Sequence, residues 1–79
     1  MIRSTLRVVM AHENARRAEQ ALPALTQQAL ADATGISLSV INGLMTGRTQ
    51  RVDFHTLDRL CSFFRIQPGG LLHWEETED

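Results

Sequence analysis

The apolar positions of this 79-residue chain recur at helical spacing, and no run alternates as a half-buried strand would. Leu6, Val9 and Met10 share one face of an N-terminal segment, residues 3–21, that contains neither Gly nor Pro. Ala15, Ala18 and Leu22 continue a weaker stripe, and Arg3, Arg7, Arg16 and Arg17 lie largely off it. This predicts a first helix from near Arg3 to at least Asn14. Continuation to Ala21 and a bend at Asn14 both fit the pattern. Pro23 closes the segment, because the residue before a proline avoids helical angles.

A second helix is predicted to open at Thr26 as its N-cap, with Gln27 and Gln28 in the first turn and Leu30 and Ala31 facing inward. Gly35 stops it, since glycine enters the left-handed region without a Cβ penalty. Ile36 plugs the turn into the core. Ser37 then caps a third helix running to about Met45, with Val40, Ile41 and Leu44 inward. Leu38, Ser39, Asn42, Gly43 and Thr46 are left on its outer face. Two short helices joined by a tight glycine turn are a helix-turn-helix unit.

Gly47 ends the third helix, and a loop with Arg48, Thr49 and Arg51 follows. Asp53 is placed to cap a fourth helix whose stripe is Phe54, Leu57, Leu60, Cys61 and Phe64, with Asp58, Arg59 and Ser62 outside. Pro68 opens a short fifth helix at the first-turn position that proline tolerates. Leu71, Leu72 and Trp74 are expected to cover one end of the core. The fold class is therefore all-α: a compact bundle of about five short helices, in one domain over residues 1–74. The acidic tail 75–79, EETED, has no apolar residue and is expected to be disordered.

Charge alters the picture more than composition does. The net charge of −1 looks unsuited to a nucleic-acid binder, but the last five residues hold four of the nine acids. Residues 1–74 thus carry eight arginines against five acids, a surplus of three. Arginine suits two-pronged contacts to phosphate or guanine. No apolar run approaches the ~18 residues of a membrane helix, so no membrane role is expected. The charged N-terminus does not read as a signal peptide. A single cysteine, Cys61, cannot form an intramolecular disulfide and points to a reducing, cytoplasmic setting.

The turn and its flanks carry a resemblance. Thr26-Gln27, Leu30-Ala31, Thr34-Gly35-Ile36-Ser37, Ile41, Leu44, Gly47-Arg48-Thr49, Asp53, Thr56-Leu57, Leu60-Cys61 and Gln67-Pro68-Gly69 stand in the register of one family. Over Thr26 to Trp74 the chain resembles the small DNA-binding domains of the phage lambda repressor and Cro family. The resemblance implies a lambda-repressor-like fold with an extended helix 1. It also implies a double-stranded DNA partner, a homodimer, and a role as a regulator of transcription that acts as a repressor. On this resemblance Leu38, Ser39, Asn42 and Gly43 of the third helix meet bases in the major groove. Thr26, Gln27, Ser37, Thr46, Arg48, Thr49 and Arg51 meet phosphates.

Two departures qualify it. About ten extra residues, around ENARRAEQAL, separate the first two helices. The outer face of the third helix is poor in base-reading side chains: Leu38 reaches only a thymine methyl, Gly43 reads nothing, and Asn42 alone could pair with adenine. The alternative is a protein-interaction module on the same fold, antitoxin-like or an adaptor, engaging its partner through the acidic tail or helix 1. Arg48 and Arg51 on the side of Ser39 and Asn42 would favour DNA, and an apolar patch around Leu38 would favour protein. His12, His55, His73 and Cys61 show no metal-ligand spacing, so no metal and no cofactor are expected. No phosphate loop or nucleophile elbow occurs, and no enzyme is expected.

Overall fold

The computed structural model describes residues 1–77. In chain order it holds strand β1 (Ile2–Ser4), helices α1 (Leu6–Glu19), α2 (Gln27–Thr34), α3 (Leu38–Thr46) and α4 (Phe54–Phe64), a 3₁₀ turn (Pro68–Gly70) and strand β2 (Leu72–Trp74). The expectation of an all-α bundle of about five helices is corrected by this order. Residues 2–4 and 72–74 form an antiparallel ribbon, with Ile2 opposite Trp74, Arg3 opposite His73 and Ser4 opposite Leu72. The fifth helix reduces to one 3₁₀ turn. Gly69 and Gly70 disfavour helical backbone, and the residues after them find strand partners in β1. Three-residue strands whose partners lie 70 residues apart are too short for alternation to register.

The ribbon starts α1. The Thr5 N–H donates to the Leu71 carbonyl (2.8 Å), the Thr5 hydroxyl to the Gly70 carbonyl (2.9 Å), and the Leu6 N–H to Ser4 Oγ (3.2 Å). The helix therefore begins at Leu6 instead of near Arg3. Beyond Trp74, the Glu75 N–H donates to the Met1 carbonyl and Arg3 lies 3.5 Å from Glu75. The first tail residue thus extends the ribbon. Glu76 and Thr77 are exposed, and Glu78 and Asp79, also part of the expected acidic tail, lie outside the described residues.

Asn14 does not interrupt α1, which runs unbroken to Glu19. Glu13 receives Arg16 and Arg17 on the same helix, each at 2.7 Å. The chain then reverses through Ala21, a non-glycine residue at φ 56°. Asn14 holds this link in place. Its Oδ1 accepts the Leu25 N–H (2.6 Å) and its Nδ2 donates to the Leu25 carbonyl (3.1 Å). Leu25 is thereby seated in the core, 5% exposed.

Leu6, Leu30, Ile41 and Leu60 are the largest fully buried side chains, one from each helix. Met10, Ala31, Ile36, Leu44 and Leu71 close the core around them. Two apolar expectations fail at its rim. Phe54, assigned to the α4 stripe, stands 89% exposed in the first position of that helix. Trp74, assigned to the core lid, is 67% exposed on the ribbon, whereas Leu71 is buried and Leu72 half-buried as expected.

Removing the paired contact to Leu25 should cost stability without touching α2 or α3. Asn14→Ala is expected to lower unfolding free energy by about 1–3 kcal/mol, the range for leaving buried backbone groups unpaired. Urea denaturation measures it, and a change within error would remove Asn14 from this role.

Candidate nucleic-acid interface

Local sequence chemistry determines how α2 and α3 meet. The Ala29 N–H donates to Thr26 Oγ1 (3.0 Å), which caps α2 and leaves the first-turn N–H groups of Gln27 and Gln28 without intrahelical acceptors. Gly35 ends α2 at φ 75°. Buried Thr34 tightens the turn: its hydroxyl donates to the Leu30 carbonyl (2.7 Å) and accepts the Ile36 N–H (3.3 Å). Arg59 of α4 adds a bond to the Thr34 carbonyl (3.2 Å). Ser37 caps α3 by accepting the Val40 N–H (3.2 Å). The Thr26 and Ser37 hydroxyl protons remain available to an anion at each helix start.

On α3, Leu38 (42% exposed), Ser39 and Thr46 face solvent, and Asn42 is half-buried. Thr46 turns its hydroxyl back onto the Asn42 carbonyl (3.0 Å). Gly43 does not lie on the outer face; it is buried. A Cβ there would overlap Thr49 Oγ1 and press on Thr49 Cβ at 3.3 Å. The Gly43 carbonyl accepts three successive N–H groups, those of Gly47, Arg48 (3.0 Å) and Thr49 (3.2 Å). Gly47 sits at φ 75° to allow the reversal. Gly43 thus serves the loop, which folds flat against α3 because this position has no side chain.

That fold brings Arg48 back beside α3. Its Nη2 donates to Asn42 Oδ1 at 3.3 Å, and Asn42 Nδ2 donates to Gln27 Oε1 at 3.3 Å. Gln27, Asn42 and Arg48 therefore form one polar chain from the start of α2 to the basic loop. This link has no sequence signal, since its members stand 15 and six positions apart. Arg51 is exposed and Thr49 half-buried. Neither Arg48 nor Arg51 has a carboxylate partner among the described residues, whereas Arg3, Arg16 and Arg17 do. Asp53, two positions after Arg51, is occupied as the cap of α4 and accepts the Thr56 N–H at 2.7 Å. The described residues contain no group of three His, Cys, Asp or Glu able to hold a metal. No helix among them is long and apolar enough to cross a membrane.

Two capped helices joined through Gly35, with a basic loop returning to the second, define a helix-turn-helix domain. The family model for the Cro/C1-type HTH DNA-binding domain matches residues 23–77, and the chain belongs to that family. The match begins just before α2, so β1 and α1 lie outside it. No curated protein and no solved structure matches the chain.

Acid should loosen α4 next to the basic loop. The Thr56 backbone N–H, and after it the Thr56 side chain, hold Asp53 below the ordinary carboxylate range. A lowered folded-state value contributes stability at neutral pH that is lost as pH falls through it. Asp53→Asn retains a good cap without a titrating group. This variant is expected to show a shallower loss of thermal stability below the carboxylate range. An acid limb identical to that of the unsubstituted chain would exclude Asp53 from it.

Proposed function

We propose that this protein regulates transcription by binding duplex DNA with α3 in the major groove, repressing by occupancy of promoter DNA. The observation that carries this reading is the position of Arg48. Its guanidinium lies against Asn42 on the outer side of α3 and has no acidic neighbour among the described residues. It is therefore free to meet the phosphates that flank the groove. Ser39 and Leu38 face bases, Ser39 by hydrogen bonding and Leu38 against a thymine methyl. Thr26, Gln27, Ser37, Thr46, Thr49 and Arg51 lie along the two helix starts and the loop where the strand backbones would run.

So sparse a base-reading face makes backbone contact the larger share of affinity. A homodimer on a palindrome doubles the footprint. Ile2 and Trp74, paired across the ribbon and each 67% exposed, offer a surface for the second copy. The exposure of Phe54 and Trp74 favours a second reading, in which the domain docks on another protein.

Selection from random duplexes at two salt concentrations tests the proposal. Enrichment of a palindromic motif, with affinity falling in salt, is the expected result. Arg48→Ala/Arg51→Ala should stay folded, bind all duplexes more weakly, and lose about 0.9 from the slope of log K against log salt for each contact removed. Failure to bind any duplex at low salt would overturn the DNA reading and favour the protein partner.

A further inference from the structure

We propose that Asn42 is a positioning residue: it sets the donor polarity of Gln27 and Arg48 toward two backbone phosphates and does not read a base. This rests on the DNA-binding reading above. Chemistry fixes the orientation of the Asn42 amide. An arginine side chain only donates, so the Asn42 atom facing Arg48 Nη2 at 3.3 Å is its oxygen. Nδ2 must then face Gln27, and Gln27 answers with Oε1 at 3.3 Å. With Oε1 turned inward, the Nε2 amide of Gln27 is left to donate outward. It does so beside the free N–H groups at the start of α2. Arg48 keeps its remaining guanidinium donors outward in the same way. A phosphate accepts hydrogen bonds and donates none, so this is the polarity a duplex backbone requires.

The same arrangement competes with base recognition by Asn42. A paired contact to adenine needs Oδ1 and Nδ2 together on one edge. Both atoms are engaged within the domain, and the side chain is half-buried. Burial of Gly43 beneath Thr49 reinforces this, because it holds the loop, and with it Arg48, within reach of Asn42. Asn42→Asp presents acceptors on both sides. Gln27 must then flip to donate inward, and its oxygen faces the phosphate.

The test uses the full chain and a pool of random-sequence duplexes, with thermal melting to confirm folding of each variant. Asn42→Ala is expected to weaken binding about threefold across the whole pool, the size of an exposed polar coupling. No base position should change its preference. Because Asn42 acts through Gln27 and Arg48 together, Gln27→Ala/Asn42→Ala/Arg48→Ala should bind no more weakly than Gln27→Ala/Arg48→Ala. A changed preference at one base position in Asn42→Ala, or fully additive losses, would overturn the proposal. Asn42→Ser is the second variant should alanine fail to fold.

One readout is independent of DNA. The Asn42 side-chain amide protons in the free protein should shift in both Gln27→Ala and Arg48→Ala, observed by NMR. Unmoved resonances would overturn the network while leaving the DNA reading intact. An unsubstituted chain that binds no duplex would overturn the DNA reading and this proposal together.

Discussion

One carbonyl oxygen, that of Gly43, organises the site. It accepts the N–H groups of Gly47, Arg48 and Thr49, so the chain leaving α3 folds back against the helix it has just left. This is possible because Gly43 has no side chain where Thr49 comes to rest. Glycine inside a helix costs roughly 1 kcal/mol relative to alanine. Here that cost secures the placement of a guanidinium beside Asn42. Without the reversal, Arg48 would be an ordinary solvated charge.

The remainder of the domain holds this corner rigid. Each helix start near the site is capped by a side chain, with Thr26, Ser37 and Asp53 accepting N–H groups three residues on. The Thr26 and Ser37 caps contribute about 1 kcal/mol each. Behind them, Leu30 of α2, Ile41 of α3 and Leu60 of α4 are nearly or fully buried, so the helices carrying the site share one core. Residues outside the family match anchor the far side. The ribbon seats Leu6 at the start of α1, and Asn14 clamps the link to α2. The long α1 is therefore part of the framework that presents α2 and α3.

The α2–turn–α3 unit was legible because its signals are local and mutually consistent. Thr26, Gly35, Ser37 and Gly47 act through neighbours within four residues, and each stands where a capping rule requires it. The ribbon was not legible, because its strands are three residues long and pair the two ends of the chain. Phe54 fits a plausible apolar stripe and Trp74 a plausible core lid, yet residue type and spacing do not say where a core ends. Gly43 was assigned to the outer face from helical spacing alone. Only the path of the following loop reveals that Thr49 covers it. The polar chain through Gln27, Asn42 and Arg48 is tertiary, so residue types indicate its candidates and the fold selects their partners.

The most direct test of the Gly43 constraint is Gly43→Ala, measured for thermal stability and duplex affinity on the same sample. Alanine favours the helix but displaces Thr49 and the loop behind it. The domain is expected to remain folded while its affinity for duplex DNA falls at least as far as that of Arg48→Ala. Affinity equal to that of the unsubstituted chain would contradict the account, because the loop would then bind DNA without the close approach to α3.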